Sequence, residues 1–444
     1  AQDPDAEYLT KRGKRGIMST AGRTDFYDMP QLDSAALCGL FDCAEQAGGE
    51  ARLVGGIVRN WYAGWALHPS APDAHPDIDM AVNLPIEIMA SAAQKAGYSV
   101  YETGIAHGTV TLRKGRFTAE VTRLRSDSET DGRHAVIVPI ESWEEDAKRR
   151  DFTINALYLD RHGQLYDPVG GCADLAAGCL RFIGRPEKRL TEDHLRLLRA
   201  VRFCSEYPVL QMDDETCRAI FAGVASLPML SAARVASEMR RIVTGPAADK
   251  MIGLLHEMGV DKVLFDTPFA AVTNGWPHHG LLKEGLLSGL IGPVAALGLQ
   301  CEPGQRAGLA KRLKLSRADS RMLAALDKEL TRDAADRLCS DAWQQQAFWL
   351  KDAAGPRYLD ACVMSGTTAD YERLRQIVFF TPPSCPISGT DIEITYHTTG
   401  IRTGQALAAL TKRWVESGFT ARRGELLNQD ISDDTNTDII HRSR

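Results

Sequence analysis

One stretch of the chain, residues 53–82, limits the possible folds more than any other. It begins with a short apolar run that ends at Gly55 and Gly56, followed by Arg59. Two glycines after a strand allow backbone amides to approach a phosphate closely, and an arginine nearby adds positive charge. The pattern predicts a strand leading into a phosphate-binding turn, with a helix starting at residues 60–64.

The same stretch ends in a second predicted strand that carries two aspartates. Asp77 and Asp79 alternate with Ile78 and Met80, and alternate side chains of a strand share a face. The two carboxylates repel each other unless a cation lies between them, and their oxygens suit Mg²⁺. A phosphate cradle followed by paired metal ligands is what phosphoryl or nucleotidyl transfer needs. Each half alone is more often an ordinary turn or a solvated strand face.

A third carboxylate lies on a later strand. The sequence predicts a helix at 84–96 and strands at 98–101, 110–113 and 117–124. In the last strand, Glu120 faces away from the apolar side chains. Glu120 is therefore either a third carboxylate of the metal site or a solvent-facing residue. Residues 125–134 have no apolar side chain and are expected to form a mobile loop.

Two positively charged side chains precede the predicted helical region. Arg149 and Arg150 are followed by Asp151 and, four residues later, by Asn155. Two cations, an acceptor and an amide can hold the sugar and phosphates of a nucleotide. Alternatively, the arginines are solvated and Asp151 caps a helix.

From Thr191 onward the sequence is predicted to be helical nearly to its end. Thr191 is a good N-cap residue, and Arg196, Arg199 and Arg202 recur every three residues. Asp193 and Arg196 would then lie on one face of the helix.

These two side chains suggest a way to select a nucleobase. Asp193 would accept a hydrogen bond from the exocyclic amine of cytosine or adenine, and Arg196 would donate to the ring. Uracil and guanine present the reversed pattern and would leave buried polar groups unpaired. The alternative is an ordinary salt bridge between residues three apart in a helix.

Length and composition exclude several classes of protein. A chain of 444 residues is too long for one simple core and indicates two to four domains. The net charge of −6 means that contact with nucleic acid must come from local basic patches. No apolar run approaches the length of a membrane span. Ten scattered cysteines without a CxxC pair indicate reduced thiols and a cytoplasmic protein.

Four motifs in order carry a resemblance to a known family. GGIVR, DID, RRDFTINALY and TEDHLRLLRAVRF resemble those of the class II tRNA nucleotidyltransferase and poly(A) polymerase family, most of all those of bacterial CCA-adding enzymes. The resemblance is strong over residues 53–203 and weaker beyond. It implies an α+β fold, in which a nucleotidyltransferase head with a mixed sheet, similar to polymerase β, precedes an all-helical neck, body and tail.

The resemblance also implies domain boundaries and a function. The expected divisions are a disordered extension at 1–30, a head at 31–180, a neck with the base-selecting helix at 181–245, a body at 246–350 and a tRNA-binding tail at 351–444. The implied activity is Mg²⁺-dependent, template-independent addition of CCA to the 3′ end of tRNA from CTP and ATP, with release of pyrophosphate.

Individual residues acquire roles from the same resemblance. Gly55, Gly56 and Arg59 would hold nucleotide phosphates, and Asp77 and Asp79 would bind metal and be catalytic. Glu120, a candidate from its strand face alone, would be a third catalytic carboxylate. The remaining expected nucleotide-binding residues match two motifs: Arg149, Arg150, Asp151, Asn155, Asp193, Arg196, Arg199 and Arg202.

The chain departs from the family pattern in three places. Asn60 stands where many relatives have Asp. The interval between Arg59 and Asp77 is longer than usual, with an apparent insertion at residues 65–72. The arginine at 234 lacks the glutamate that usually precedes it.

Other functions stay open at this stage. A poly(A) polymerase, or an enzyme that adds A alone, shares these motifs. The 125–134 loop and two C-terminal segments that continue the resemblance, ISGTDI at 387–392 and RWVESGF at 413–419, favour CCA addition. A non-catalytic RNA-binding protein with the same fold is the alternative of another class, and the intact aspartate pair argues against it. A dinucleotide-binding dehydrogenase is disfavoured because the GxGxxG spacing is missing.

Overall fold

The computed structural model describes a large part of the chain in two compact units, which span residues 1–266 and 267–444. The described residues are 32–65, 76–102, 104–128, 136–266, 269, 292–299, 301, 304–328, 330–365, 369–428, 431–432 and 439–440. The expected extension at 1–30 and most of the insertion at 65–72 lie outside them. The finer division into head, neck, body and tail stays a prediction.

The first unit combines strands and helices. Its strands are β1 Ala51–Val54, β2 Ile78–Val82, β3 Ser99–Tyr101, β4 Thr109–Lys114, β5 Phe117–Arg123, β6 Arg125–Ser128, β7 Val136–Pro139, β8 Tyr158–Leu159, β9 Leu165–Tyr166, β10 Cys179–Leu180 and β11 Gln211–Met212. Its helices are α1 Ser34–Gln46, α2 Gly56–Ala63, α3 Ile86–Lys95, α4 Trp143–Arg149, α5 Gly171–Ala177, α6 Pro186–Glu192, α7 Leu195–Glu206, α8 Asp214–Gly223, α9 Ala232–Thr244, α10 Ala248–Glu257 and α11 Val260–Phe265.

A mixed seven-stranded sheet organises this unit. The strand order is β3-β4-β5-β2-β1-β8-β9, and β2 pairs with β5 in parallel while the other neighbours are antiparallel. The parallel pair brings the aspartate-bearing strand beside the strand that carries Glu120. The expected mixed sheet of the head is therefore confirmed.

The glycine pair ends the first strand and begins a helix at once. Gly55 adopts φ 79°, a conformation that favours glycine, and it is the N-cap of α2. The helix thus starts at Gly56, and the expected start at residues 60–64 was wrong because the glycine turn needs no further loop. The strands expected at 98–124 are confirmed, with bounds within about two residues.

The segment expected to be a loop begins as a strand. Residues 125–128 form β6 and pair antiparallel with β7, so a run without apolar side chains forms a hairpin arm through its backbone. Residues 129–135 lie outside the described residues.

The expected helix start at Thr191 was also wrong. Thr191 belongs to the last turn of α6, which starts at Pro186, and its hydroxyl donates to the carbonyl of Glu187. Asp193 has extended backbone angles, φ −154° and ψ 102°, and separates α6 from α7. The Asp193 carboxylate accepts a hydrogen bond from the Leu195 N–H at 3.1 Å and so helps to cap α7.

The second unit is mainly helical, as expected. Its elements are α12 Pro293–Gly298, α13 Arg306–Arg312, α14 Arg317–Leu326, α15 Arg332–Cys339, α16 Trp343–Leu350, α17 Ala354–Ser365, α18 Tyr371–Val378, α19 Gly389–Tyr396, α20 Ile401–Glu416, α21 Arg423–Leu427 and the short strands β12 Ile431–Ser432 and β13 Ile439–Ile440. Residues 332–350 form two helices, α15 and α16, and the break between them begins at Ser340, which adopts extended backbone angles. No helix within the described ranges is long and apolar enough to cross a membrane.

Candidate nucleotide and metal site

Three carboxylates lie on one face of two neighbouring strands. Asp77 and Asp79 are exposed while Ile78 and Met80 are buried, as the alternation predicted. Asp79 is in register with the exposed Glu120 across the parallel pair. Adjacent strands lie about 4.8 Å apart, so these two side chains project side by side.

Electrostatics confirm that charges converge on Asp79. Its pKa is raised to about 6, first because the surrounding protein hinders solvation of the charge, and then because Glu120 and Asp77 repel it. Arg150 and Arg59 act in the opposite direction. The Asp79 side chain is exposed to solvent, but nearby protein atoms still hinder solvation of its carboxylate charge.

The donor set fits a divalent cation. Carboxylate oxygens are the ligands that Mg²⁺ prefers, and a cation would relieve the repulsion that raises the Asp79 pKa. In the part of the chain that the structure describes, no three His, Cys, Asp or Glu side chains form a ready metal-binding group. The pair of Asp77 and Asp79 therefore stays the candidate ligand set, and the role of Glu120 stays a prediction.

The glycine turn lies directly beside these carboxylates. A Cβ atom placed on Gly55 would lie 3.7 Å from Asp79 Oδ2, and one placed on Gly56 would lie 3.6 Å from Arg59 Nη2. The turn also forms the N-terminus of α2, where backbone N–H groups lack helical partners and favour anions. The predicted phosphate cradle thus adjoins the predicted metal pair.

Arg59 lies inside the protein rather than at the surface. Its guanidinium donates to Asn60 Oδ1 at 3.0 Å, to Tyr207 Oη at 2.9 Å and to Asn155 Oδ1. It also lies 5.0 Å from the Phe203 ring centroid. Arg59 is only 5% exposed, and its contacts join α2 to Phe203 in α7 and to Tyr207 at the end of that helix. Its direct contact with a phosphate stays a prediction.

Asp151 joins the arginine motif to α7. Its carboxylate accepts from the Phe152 N–H at 2.8 Å, from Asn155 Nδ2 at 2.9 Å and from Arg199 Nε and Nη2 at 2.8 and 2.5 Å. Burial alone would raise the pKa of Asp151, but Arg199 and Asn155 hold that pKa below its ordinary range. The RRDFTINALY motif is therefore hydrogen-bonded to the TEDHLRLLRAVRF motif through Asp151 and Arg199.

Arg149 and Arg150 share an acidic partner that sequence analysis missed. The buried Asp146 accepts from Arg149 Nε at 2.7 Å and from Arg150 Nη2 at 2.9 Å. It lies three and four residues before the arginines, which is the spacing of one helix face. This spacing in the sequence could have predicted the pairing of Asp146 with Arg149 and Arg150.

Asp193 and Arg196 do not form the alternative salt bridge with each other. Asp193 Oδ2 accepts from Arg234 Nη2 at 2.7 Å. Arg196 donates through Nη1 to Glu192 at 2.7 Å and through Nη2 to the Arg149 carbonyl at 3.2 Å. The last contact links the start of α7 to the arginine motif.

Arg202 is placed differently from its neighbours. It is 3% exposed and donates to Glu238 at 2.6 Å and to Glu206 at 3.0 Å. These contacts fix α7 against α9, so Arg202 supports the helix. Its expected contact with a nucleotide stays a prediction.

Comparisons with known proteins agree with this geometry. Residues 51–181 match the family described as "Poly A polymerase head domain", and residues 210–272 match "Probable RNA and SrmB- binding site of polymerase A". The first match contains the glycine turn, all three carboxylates and the arginine motif.

The two matched segments belong to the poly(A) polymerase family, and the chain over most of its length is similar to CCA tRNA nucleotidyltransferases. It is 28% identical to the mitochondrial CCA tRNA nucleotidyltransferase 1 of Danio rerio over 418 residues, which cover 90% of this chain and 91% of the relative. It is 34% identical to a CCA-adding enzyme of Listeria monocytogenes over 221 residues, or 49% of this chain and 53% of the relative.

Solved structures show the same fold. The CCA-adding enzyme of Bacillus stearothermophilus in complex with CTP has a TM-score of 0.66 and 25% identity, and the match covers 89% of this chain and 95% of that one. The Thermotoga maritima enzyme complexed with tRNA has a TM-score of 0.63 at 18% identity, covering 95% and 96%. The expected family and fold are therefore confirmed.

Proposed function

We propose that the protein adds CCA to the 3′ end of tRNA from CTP and ATP, without a nucleic-acid template and with Mg²⁺, releasing pyrophosphate. One observation carries the proposal: the aspartate pair adjoins the glycine turn. Hydrogen bonds continue from Arg59 through Asn155 and Asp151 to Arg199 of α7, the helix that carries Arg196 and begins just after Asp193. The full-length similarity to CCA tRNA nucleotidyltransferases supports the choice of substrate.

The carboxylates and the turn would serve the phosphates. Asp77 and Asp79 would hold Mg²⁺, which favours ionisation of the attacking 3′-hydroxyl and neutralises charge on the leaving pyrophosphate. The backbone N–H groups at Gly55 and Gly56 would donate to phosphate oxygens. The RNA 3′-hydroxyl would attack the α-phosphate as the bond to pyrophosphate breaks.

The start of α7 would select the base. Arg196 Nε makes no hydrogen bond to any described residue, so it retains a donor for a base ring. Asp193 retains acceptor capacity beside its contact with Arg234, since each carboxylate oxygen can accept more than one hydrogen bond. An amine-bearing edge, as in cytosine or adenine, complements this pair.

A nucleotide-addition assay tests the function. Purified protein is incubated with Mg²⁺ and tRNA that lacks its 3′ CCA, with each nucleotide alone and with CTP and ATP together. Addition of two C and one A, followed by a stop, supports CCA addition. Addition of a long A ladder would identify a poly(A) polymerase, and addition of one A only to tRNA ending in CC would identify an A-adding enzyme.

Aspartate variants distinguish catalysis from RNA binding. Asp77→Ala and Asp79→Ala should abolish incorporation while binding of tRNA persists. If the wild type incorporates nothing with Mg²⁺ but binds tRNA, the non-catalytic alternative holds.

The domain roles and location complete the proposal. The head, neck, body and tail would follow the predicted boundaries, with the helices at 351–444 contacting tRNA. The free thiols are consistent with the cytoplasmic location that we propose. Cell fractionation that separates cytoplasm from mitochondria tests it, because some relatives are named mitochondrial.

A further inference from the structure

We propose that Asp146 is a positioning residue that sets the direction of Arg149 and Arg150 toward the phosphates of the incoming nucleotide. This inference rests on the proposed function and names a residue outside its predicted site. Asp146 is 0% exposed. A fully buried carboxylate is unfavourable unless its charge is paired and hydrogen-bonded.

The contacts of Asp146 fix both arginines at once. Oδ1 accepts from Arg149 Nε at 2.7 Å and, at 3.5 Å, from the Arg125 N–H. Oδ2 accepts from Arg150 Nε and Nη2 at 3.2 and 2.9 Å and from the Tyr158 hydroxyl at 2.7 Å. Each oxygen thus holds one arginine, and Tyr158 restrains the carboxylate.

The outer ends of the two guanidiniums remain available. Within the described residues, Arg149 donates only through Nε, and Arg150 donates only through Nε and Nη2. Both Nη atoms of Arg149 and Nη1 of Arg150 therefore have no acceptor there. Both side chains are nevertheless largely buried, with exposures of 15% and 17%. The charge of Arg150 also reaches the candidate metal ligands, because it lowers the pKa of Asp79.

A second buried aspartate shows what a purely structural pairing looks like. Asp360, in the C-terminal unit, accepts from Arg306 and Arg357. Those two guanidiniums also donate to backbone carbonyls, at Leu326 and at Lys328. Arg306 and Arg357 therefore donate to other groups of the fold as well as to Asp360. Arg149 and Arg150 instead keep guanidinium N–H groups that can donate to a ligand.

Two physical roles of Asp146 predict opposite results when its charge is removed. If the carboxylate only neutralises the arginines, Asp146→Asn leaves a more positive site, and the KM for a nucleotide falls. If it positions them, the variant loses two charge-assisted contacts, and its amide group points a donor at guanidinium donors. Misdirected arginines then bind the phosphates less well.

The experiment compares Asp146→Asn with Asp360→Asn in the addition assay. We expect Asp146→Asn to raise the KM for CTP and for ATP by about tenfold while kcat changes by less than about threefold. Asp360→Asn should lower the melting temperature about as much as Asp146→Asn does, but should leave the nucleotide KM unchanged. An Asp146→Asn KM equal to or below that of wild type overturns the inference, as does an equal KM rise in Asp360→Asn.

Milder variants keep the test decisive if Asp146→Asn fails to fold. Tyr158→Phe removes one restraint on the carboxylate without changing charge and should raise the nucleotide KM by about two- to threefold. Wild-type KM in Tyr158→Phe would overturn the inference in that case. A wild type inactive with every nucleotide refutes the proposed function itself, whereas an active wild type with an insensitive Asp146 refutes this inference alone.

Discussion

Replacing Asp151 by Asn should destabilise the N-terminal unit strongly. Asp151 is 8% exposed and accepts two hydrogen bonds from Arg199, at 2.8 and 2.5 Å. Removing one partner of a fully buried ion pair costs about 3–5 kcal/mol. Because the Arg199 side chain is 34% exposed, water compensates part of this loss, and we expect about 2–3 kcal/mol.

The destabilisation should depend on pH. The pKa of Asp151 in the folded protein lies below its ordinary value, although burial alone would raise it, because Arg199 and Asn155 stabilise the charged form. Above about pH 4, the usual carboxyl pKa of an unfolded chain, ionised Asp151 gives the folded wild type its full stabilisation. Below that pH the unfolded chain binds the proton first, so wild-type stability falls toward that of Asp151→Asn.

Urea unfolding measures this difference. Circular dichroism follows the transition, and hydrogen exchange over residues 143–206 assigns it to the N-terminal unit. A double-mutant cycle with Arg199→Gln should give a coupling free energy of about 2 kcal/mol. Three results would refute the reasoning. They are a loss in unfolding free energy below about 1 kcal/mol at pH 7, a coupling free energy near zero, and a difference between wild type and Asp151→Asn that does not narrow at pH 3.5.

Three further predictions concern other parts of the site. Mg²⁺ should raise the melting temperature of the wild type but not of Asp79→Asn, because only the wild type offers the paired carboxylates; an equal rise in both excludes this metal site. Gly171→Ala should lose about 1–3 kcal/mol in urea unfolding, since its Cβ would lie 2.3 Å from the Thr153 carbonyl oxygen. Arg202→Met should lower stability by about 3 kcal/mol with the choice of nucleotide unchanged, whereas Asp193→Ala should relax that choice; the ratio of C to U incorporation separates the two.

Local patterns in the sequence were sufficient to predict the strands and the aspartate face. Alternation at Asp77 and Asp79 depends only on neighbouring residues, and the structure reproduces it. The register of Asp79 with Glu120 could not be predicted in the same way. It depends on a parallel pairing between strands that are not consecutive in the chain, and no local pattern encodes that pairing.

The start of the base-selecting helix shows how one local signal can override another. Thr191 resembles an N-cap, but Pro186 lies at the first turn of α6 and sets the actual helix start. The chain then breaks at Asp193. The prediction that Asp193 and Arg196 share one continuous helix face was therefore wrong. The Arg196 N–H nevertheless donates to the Asp193 carbonyl oxygen at 3.0 Å, which keeps the two residues in one turn.

Arg59 shows why spacing alone does not define a role. Its position after the glycine turn suggested a phosphate contact, but the structure binds its guanidinium to Tyr207, 148 residues later. Tyr207 is stacked on Trp65 with 4.3 Å between ring centroids, so aromatic packing encloses the charge. Arg59 still lowers the pKa of Asp79. Its positive charge therefore acts on the site through space while its hydrogen bonds join α2 to α7, a combination that only tertiary packing can produce.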